Sequence, residues 1–448
     1  MAQGSRPKIV ILGAGFAGLY AARELARLLP AEDRAGITLV DRNNFFLFTP
    51  MLTEVAGGEI DTRHCVAAVR RLAPGINFEQ ARVDAIDLAN KRVTLSVGDA
   101  EQGIPETQKT LEFDHLVIAL GSVTNFHHID GLQEHSITVK TIGDATAIYD
   151  RALALLERAD DEREADRRRA LLTFVVGGGG FSGVETMAAL NDLVRANARH
   201  FPGIAPSDIR TVLVHPEGRL LPELNAALAA FAQRELQRRG VEVMLNTKIT
   251  GAGSDYAELQ GGHRIDTHTL IWTGGVMPNP VIANLDIKRG HHGGIVVDAC
   301  LAVEGHPNIW ALGDCAEVPR GSSGKTYAPT AQNATREGTL VARNIVAVLN
   351  GRKPRPFRYT PIGELALVGR RAGVADLRGY RFSGFIAWLM WRAVYLAKMP
   401  SMAKRLRVAT DWLIDFVAGR ELAAVPTVHA GQDGNSEAQE HKQQPARG

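Results

Sequence analysis

KIVILGAGFAGLYAARELARL, residues 8–28, decides the fold. Residues 8–12 are short, apolar and β-branched, so they read as a buried strand. Gly13-Ala14-Gly15-Phe16-Ala17-Gly18 follows as G-x-G-x-x-G, and a helical pattern begins at once. Strand, glycine turn and helix in that order open a dinucleotide-binding unit. The first glycine permits the tight turn. The second lets the backbone approach a pyrophosphate, and the third lets the helix pack close to the strand. Free N–H groups at the helix N-terminus complete the anion site. The next strand, ITLVD, ends in Asp41, a carboxylate suited to ribose hydroxyls.

The device recurs in LLTFVVGGGGFSGVETMAAL, residues 171–190. A strand at 172–176 runs into Gly178-Gly179-Gly180-Phe181-Ser182-Gly183, and a helix follows. The second strand of this unit, in TVLVHPEGRLLPEL, does not end in an acid. His215 stands there, with Glu217 two residues on and Arg219 beyond. Glu217 favours NADH, while Arg219 leaves NADPH open. Two such loops imply two nucleotides or one internal duplication. Between them, RALALLERADDEREADRRRA (151–170) reads as a solvated helix introducing the second domain.

Composition narrows the function classes. The chain has 448 residues, 45% of them hydrophobic, enough for two or three domains with sizeable cores. A net charge of +2 gives no reason to expect nucleic acid. The 3 cysteines, Cys65, Cys300 and Cys315, form no C-x-x-C pair and exclude a disulfide scaffold. MAQGSRP carries no apolar core, so no signal peptide is expected. No apolar run reaches the ~18–20 residues of a membrane-spanning helix. The pairs His127-His128 and His291-His292 lie in loop-like stretches with no further ligand at suitable spacing, so no metal site is expected.

Three further stretches end apolar strands in small-residue turns: LVIALGS (116–122), LIWTGG (270–275) and NIWALGDCAEVP (308–319). Asp314 in the last can accept hydrogen bonds from a polyol chain. With these in place the chain resembles the flavoproteins with two dinucleotide-binding domains related to pyridine nucleotide-disulfide oxidoreductases. Among them it is most similar to type II NADH dehydrogenases, the single-subunit NADH:quinone oxidoreductases of respiratory electron transport. The matching pieces are GAGFAG (13–18), DRNNFFLFTPMLTEVAGG (41–58), ALGS (119–122), GGGGFSGVE (177–185), WTGGVMPNP (272–280), ALGDCA (311–316) and PTAQNATREG (329–338). The resemblance covers roughly residues 8–425.

The resemblance implies an α/β fold of two Rossmann-like domains with a C-terminal amphipathic helical segment that associates with a membrane. An FAD domain would comprise 1–150 and 290–375, an NAD(P)H domain 151–289, and membrane-interface helices 376–425, with a disordered tail at 426–448. FAD would be held by Gly13, Gly15, Phe16, Ala17, Gly18, Asp41, Arg42, Thr49, Val83, Ala119, Gly121, Gly313, Asp314 and Ala331. NADH would be held by Gly178, Gly180, Gly183, Glu217, Gly274 and Gly275. Glu185 and Gln332 would be catalytic, with Gln332 and Arg336 on the quinone side. The family pattern there is A-Q-x-x-x-Q, and Arg336 replaces the second glutamine. The implied reaction passes a hydride from NADH to FAD and two electrons to a membrane quinone, without ion pumping. A soluble NAD(P)H:acceptor or sulfur oxidoreductase, or a slow redox sensor, stays open on the same scaffold.

GFIAWLMWRAVYLAKMP, residues 384–400, and MAKRLRVATDWLIDFV, residues 402–417, give that end its character. On a helical wheel Met402, Leu406, Ala409, Trp412, Leu413, Phe416 and Val417 form one stripe, opposite Lys404, Arg407, Asp411 and Asp415. Residues 381–420 hold the bases Arg381, Arg392, Lys398, Lys404, Arg405, Arg407 and Arg420 against the acids Asp411 and Asp415. Trp388, Trp391 and Trp412 lie here too. Basic, Trp-bearing amphipathic helices read as lying on a membrane surface, here its cytoplasmic face. A dimer interface or a helical lid is the alternative.

Overall fold

The computed structural model describes residues 6–99, 103–321 and 324–418. The tail expected at 426–448 lies outside them, as does Arg420. In chain order the first half supplies β1 (Ile9–Leu12), α1 (Phe16–Leu28), β2 (Ile37–Asp41), β3 (Asn77–Gln80), β4 (His115–Ile118), β5 (Ser122–Thr124) and α2 (Ile142–Asp161). There follow β6 (Thr173–Gly177), α3 (Phe181–Ala198), β7 (Arg210–Val214), β8 (Val241–Met244), β9 (Thr269–Trp272), β10 (Val276–Pro278), β11 (Ile309–Ala311) and α4 (Ala331–Leu349). The chain closes with β12 (Gly363–Leu367), β13 (Gly373–Leu377), β14 (Tyr380–Gly384), α5 (Phe385–Lys398) and α6 (Met402–Ala418).

Two parallel sheets carry the molecule. One runs β11-β4-β1-β2-β3, the other β8-β7-β6-β9. Ile9, Ile11, Leu12, Ile37 and Leu39 are fully buried in the first, as are Phe174, Val175, Val176 and Leu213 in the second. Both faces of a parallel sheet are covered, so its strands are apolar throughout rather than alternating. The strand at 309–311 joins the N-terminal sheet, so this half is built from sequence on both sides of the second sheet. The chain crosses between the halves along β5 and β10, which pair antiparallel from Ser122 with Pro278 to Thr124 with Val276. α2 runs unbroken past residue 150 and buries Ile148, Leu153 and Leu156, so the charged stretch is solvated on one face only.

The C-terminal part is an antiparallel sheet, β12-β13-β14, covered by α5. A Cβ at Gly373 would stand 2.9 Å from the Trp388 backbone nitrogen, so helix and strand touch along their backbones. α6 docks by its polar side. Lys404 Nζ donates to the Arg63 carbonyl at 2.6 Å, Asp411 pairs with His64 and accepts from the Asp61 N–H, and Arg370 donates to the Asp415 carbonyl at 2.9 Å. Val408, Trp412 and Asp415 turn inward. Trp412 thus leaves the apolar stripe of the wheel, because the Arg392 guanidinium stacks over its ring at 4.5 Å. Ile414 takes its place outside. Met402, Leu406, Leu413, Ile414, Phe416 and Val417 of α6, and Phe385, Ile386 and Leu389 of α5, are exposed apolar side chains. Among the described residues no helix is long and apolar enough to cross a membrane.

Candidate active site

The two glycine turns have the same construction. Gly13 has φ +100° and Gly178 φ +108°, where a side chain is strained. The Gly13 N–H donates to the Val40 carbonyl at 2.7 Å, and the Gly178 N–H to the Val214 carbonyl at 2.9 Å. A Cβ on Gly18 would lie 1.8 Å from the Gly13 carbonyl oxygen, and one on Gly183 1.8 Å from that of Gly178. Gly15 and Gly180 have nothing within 4 Å on that side, so each second glycine leaves open space. Neither α1 nor α3 has a side-chain cap or an acid in its first turn. Their first N–H groups are left for an anion. Asp41 accepts from the Ala14 N–H at 2.7 Å and the Asn43 N–H at 2.8 Å. Burial raises its pKa, and those two N–H groups pull the other way.

One cavity of about 930 Å³ opens beside the first turn. Gly15, Phe16, Ala17, Thr49, Ala119, Gly121, Gly313, Asp314 and Ala331 line it, as do Glu185, Gly275, Gln332 and Arg336. Tyr395, Lys398, Met399 and Arg405 of the C-terminal part line it as well. Gly13, Gly18, Gly178, Gly180 and Gly183 shape the loops without lining it. Asp41, Arg42, Val83, Glu217 and Gly274 also stand outside its wall, with Val83 buried and Arg42 and Glu217 exposed. The Gly274 carbonyl is held by the His127 ring at 2.9 Å.

Sequence reading missed Ser122 and Lys140. The Lys140 ammonium donates to Ser122 Oγ at 3.0 Å, and that hydroxyl donates to Asp314 at 2.8 Å. Burial lowers the lysine pKa, with Asp314 opposing. Only the apolar strands around them signal that this lysine is drawn inward. Glu337 accepts from the Gly313 N–H at 2.8 Å, and burial pushes its pKa up to about 7.

Glu185 is not at the exposed helix start. Its Oε1 accepts from the Leu367 N–H at 2.9 Å and the Trp391 indole N–H at 3.1 Å, which leaves Oε2 free. What remains exposed of it forms cavity wall, and desolvation pushes its pKa up to about 8. Gln332 is pinned between the Gly363 carbonyl, to which it donates at 2.9 Å, and the Tyr359 hydroxyl, which donates to it at 3.1 Å. Arg336 donates to the Gln332 carbonyl at 2.8 Å and stacks over the Tyr359 ring at 4.0 Å. Behind Glu185, Arg392 stands 2.8 Å from Glu59 and 3.5 Å from the buried Glu54. Burial holds the Glu54 carboxyl well above its ordinary pKa.

The cysteines are quiet. Cys65 and Cys315 are buried, and desolvation pushes them up to about 12 and about 11. Neither is a thiolate at neutral pH.

Residues 7–338 match the family of pyridine nucleotide-disulphide oxidoreductases, and that is the class the two turns and their sheets define. Residues 362–421 match the NDH2 C-terminal domain. Within that class the chain belongs to the type II NADH:quinone oxidoreductases. It is 35% identical to demethylphylloquinone reductase NdbB of Synechocystis, over 91% of this chain and 96% of that one. It is 32% identical to type II NADH:quinone oxidoreductase NdhA of Mycobacterium tuberculosis, over 93% and 88%. Its fold matches that of NDH2 from Plasmodium falciparum in complex with NADH, with a TM-score of 0.84 at 21% identity, covering 93% of this chain and 100% of that one.

Proposed function

We propose that this chain oxidises NADH and reduces a quinone, without ion pumping, while resting on a membrane surface. One observation carries the reading. The first nucleotide turn, Glu185 of the second half and residues of the C-terminal helices, which also carry exposed apolar side chains, line one cavity together. The residues present fit FAD. Gly13 and Gly18 admit no side chain, Gly15 leaves open space, and about 930 Å³ is ample for a ring system and a second substrate. Gly15, Phe16, Ala17, Asp41, Thr49, Gly313, Asp314 and Ala331 would hold it. When bound, FAD supplies hydride acceptance and two-electron release.

The chain's own residues do the rest. The turn at 178–183 and the N-terminus of α3 offer N–H groups to the pyrophosphate of NADH. Gln332, locked by two hydrogen bonds, and Arg336, fixed by its carbonyl and ring contacts, form the quinone side. Arg336 donates but cannot accept, which suits a quinone carbonyl. Glu185, whose pKa burial pushes up to about 8, lines the cavity with Oε1 taken by two donors. It supplies a proton to the quinone oxygen as charge builds there. Burial, and then Arg336, lower the Lys398 pKa, which makes this ammonium a further proton source. Inert thiols argue against the sulfur-transfer alternative.

The apolar faces of α5 and α6, with Lys398, Arg405 and Arg407 beside them, suit the headgroup layer of the cytoplasmic leaflet. Purified protein should show a flavin spectrum and consume NADH only when a short-chain quinone is present. NADH consumption that ignores the quinone would sink the reading.

A further inference from the structure

We infer that His215 makes the nucleotide site of the second half tolerant of a 2′-phosphate, so that NADPH serves as hydride donor beside NADH. This rests on the function proposed above and names the class of its donor. His215 occupies the place that Asp41 holds in the first half. Each is the residue after the valine whose carbonyl accepts from the first glycine of its turn, Val40 in one case and Val214 in the other. Each then accepts from the N–H of the next residue in the turn, Ala14 to Asp41 at 2.7 Å and Gly179 to His215 Nδ1 at 3.0 Å. The pairing is built for an imidazole. A Cβ at position 179 would lie 2.7 Å from the His215 Cγ, so this turn has glycine where the first has Ala14.

The charge at that strand end is therefore different. An Nδ1 that accepts places the ring proton on Nε2 and makes the imidazole neutral. Burial lowers the His215 pKa, against the opposing pull of Glu217, Glu223 and the Arg219 carbonyl. A carboxylate at this point selects NADH twice, by accepting from the ribose 2′-hydroxyl and by repelling a 2′-phosphate. A neutral imidazole does neither. Glu217, whose charge acts on His215, is the competing acid at this strand end. Its backbone carbonyl is tied to the Asn246 N–H at 3.0 Å, and its side chain is exposed, with no hydrogen bond among the described residues. Arg219, on the same exposed loop, donates to the Pro222 carbonyl at 2.5 Å and adds a cation to it. Such a cation accommodates a 2′-phosphate.

The test is calorimetric binding of NAD⁺ and NADP⁺ to the FAD-loaded protein, paired with anaerobic flavin bleaching by NADH and NADPH. In the native chain the two dissociation constants should lie within about tenfold of each other. His215→Glu should weaken NADP⁺ by about thirtyfold or more while changing NAD⁺ far less. His215→Gln, which is neutral, should keep the native ratio. The inference is overturned if the native chain rejects NADP⁺ by ~1,000-fold, or if His215→Glu leaves the ratio unchanged. It is overturned equally if Glu217→Gln is what opens the site to NADP⁺. Binding is read apart from turnover. Absence of bleaching by either nucleotide would count against the NADH:quinone reading, while the ratio of constants still decides this one.

Discussion

Glu185→Gln isolates the proton-transfer step. The side-chain carbonyl of the new amide would keep both acceptor contacts of Oε1, to the Leu367 N–H and the Trp391 indole, and its NH₂ group would take the place of Oε2. Shape and hydrogen bonding are preserved, and only the transferable proton is lost. General acid catalysis contributes roughly 10²–10⁴-fold, about 3–5 kcal/mol of barrier. Flavin reoxidation by quinone should slow by that order, while flavin reduction by NADH stays within a few-fold. The two steps are measured separately by anaerobic stopped flow. The native reoxidation rate should also fall as pH rises through about 8, where the carboxyl loses its proton, and the variant should be flat there. Stability gives an independent sign. A carboxyl whose folded pKa lies above its unfolded value near 4.5 binds more protons when folded. The native chain therefore loses stability as pH rises from about 4.5 to about 8, by at most about 5 kcal/mol. The amide has no such dependence, so the melting temperatures should diverge in the variant's favour across that window. Unchanged reoxidation in Glu185→Gln, or a native profile flat from pH 6 to 10, would refute this role for Glu185.

Gly18→Ala puts a Cβ 1.8 Å from the Gly13 carbonyl and should yield protein that no longer retains FAD, read from the absorbance of the purified chain. Gly183→Ala makes the matching clash in the second turn, so the flavin should remain while the KM for NADH rises at least tenfold. Arg392→Met leaves the Glu59 carboxylate without its guanidinium in a buried setting and should cost about 3–5 kcal/mol in thermal or urea unfolding. Leu406→Glu with Leu413→Glu should abolish flotation with anionic vesicles yet spare turnover with a water-soluble quinone. Unaltered flotation would show that this apolar face is not what holds the protein to the vesicles.

What was legible in sequence was whatever the backbone itself constrains. Gly13, Gly18, Gly178 and Gly183 announce their turns because no side chain fits there, and the apolar strands beside them fix the two parallel sheets. Asp41 was proposed because it ends the strand after the first turn, and Glu185 because the family resemblance implies it. Contacts between distant segments left no such mark. Arg392 reaches Glu54 and Glu59 from the far end of the chain. Lys140 is marked only by the apolar Ile137, Val139 and Ile142 around it, and nothing in the sequence points it to Ser122. The helical wheel found the apolar stripe of α6 but not its orientation. That depends on Asp411 and Asp415 finding His64 and Arg370, so the charged side packs inward and the apolar side faces out. His215 was visible as a missing acid, but its bond to Gly179 emerges only when strand and turn are seen together.

Under the proposed function, one cavity serves two half-reactions in sequence. Anaerobic double mixing tests it directly, first with NADH and then, after the yellow colour has bleached, with a short-chain quinone. The expected result is rapid bleaching by the first reagent and rapid return of the colour with the second, one quinone reduced per NADH consumed. Bleaching that no quinone reverses would contradict it.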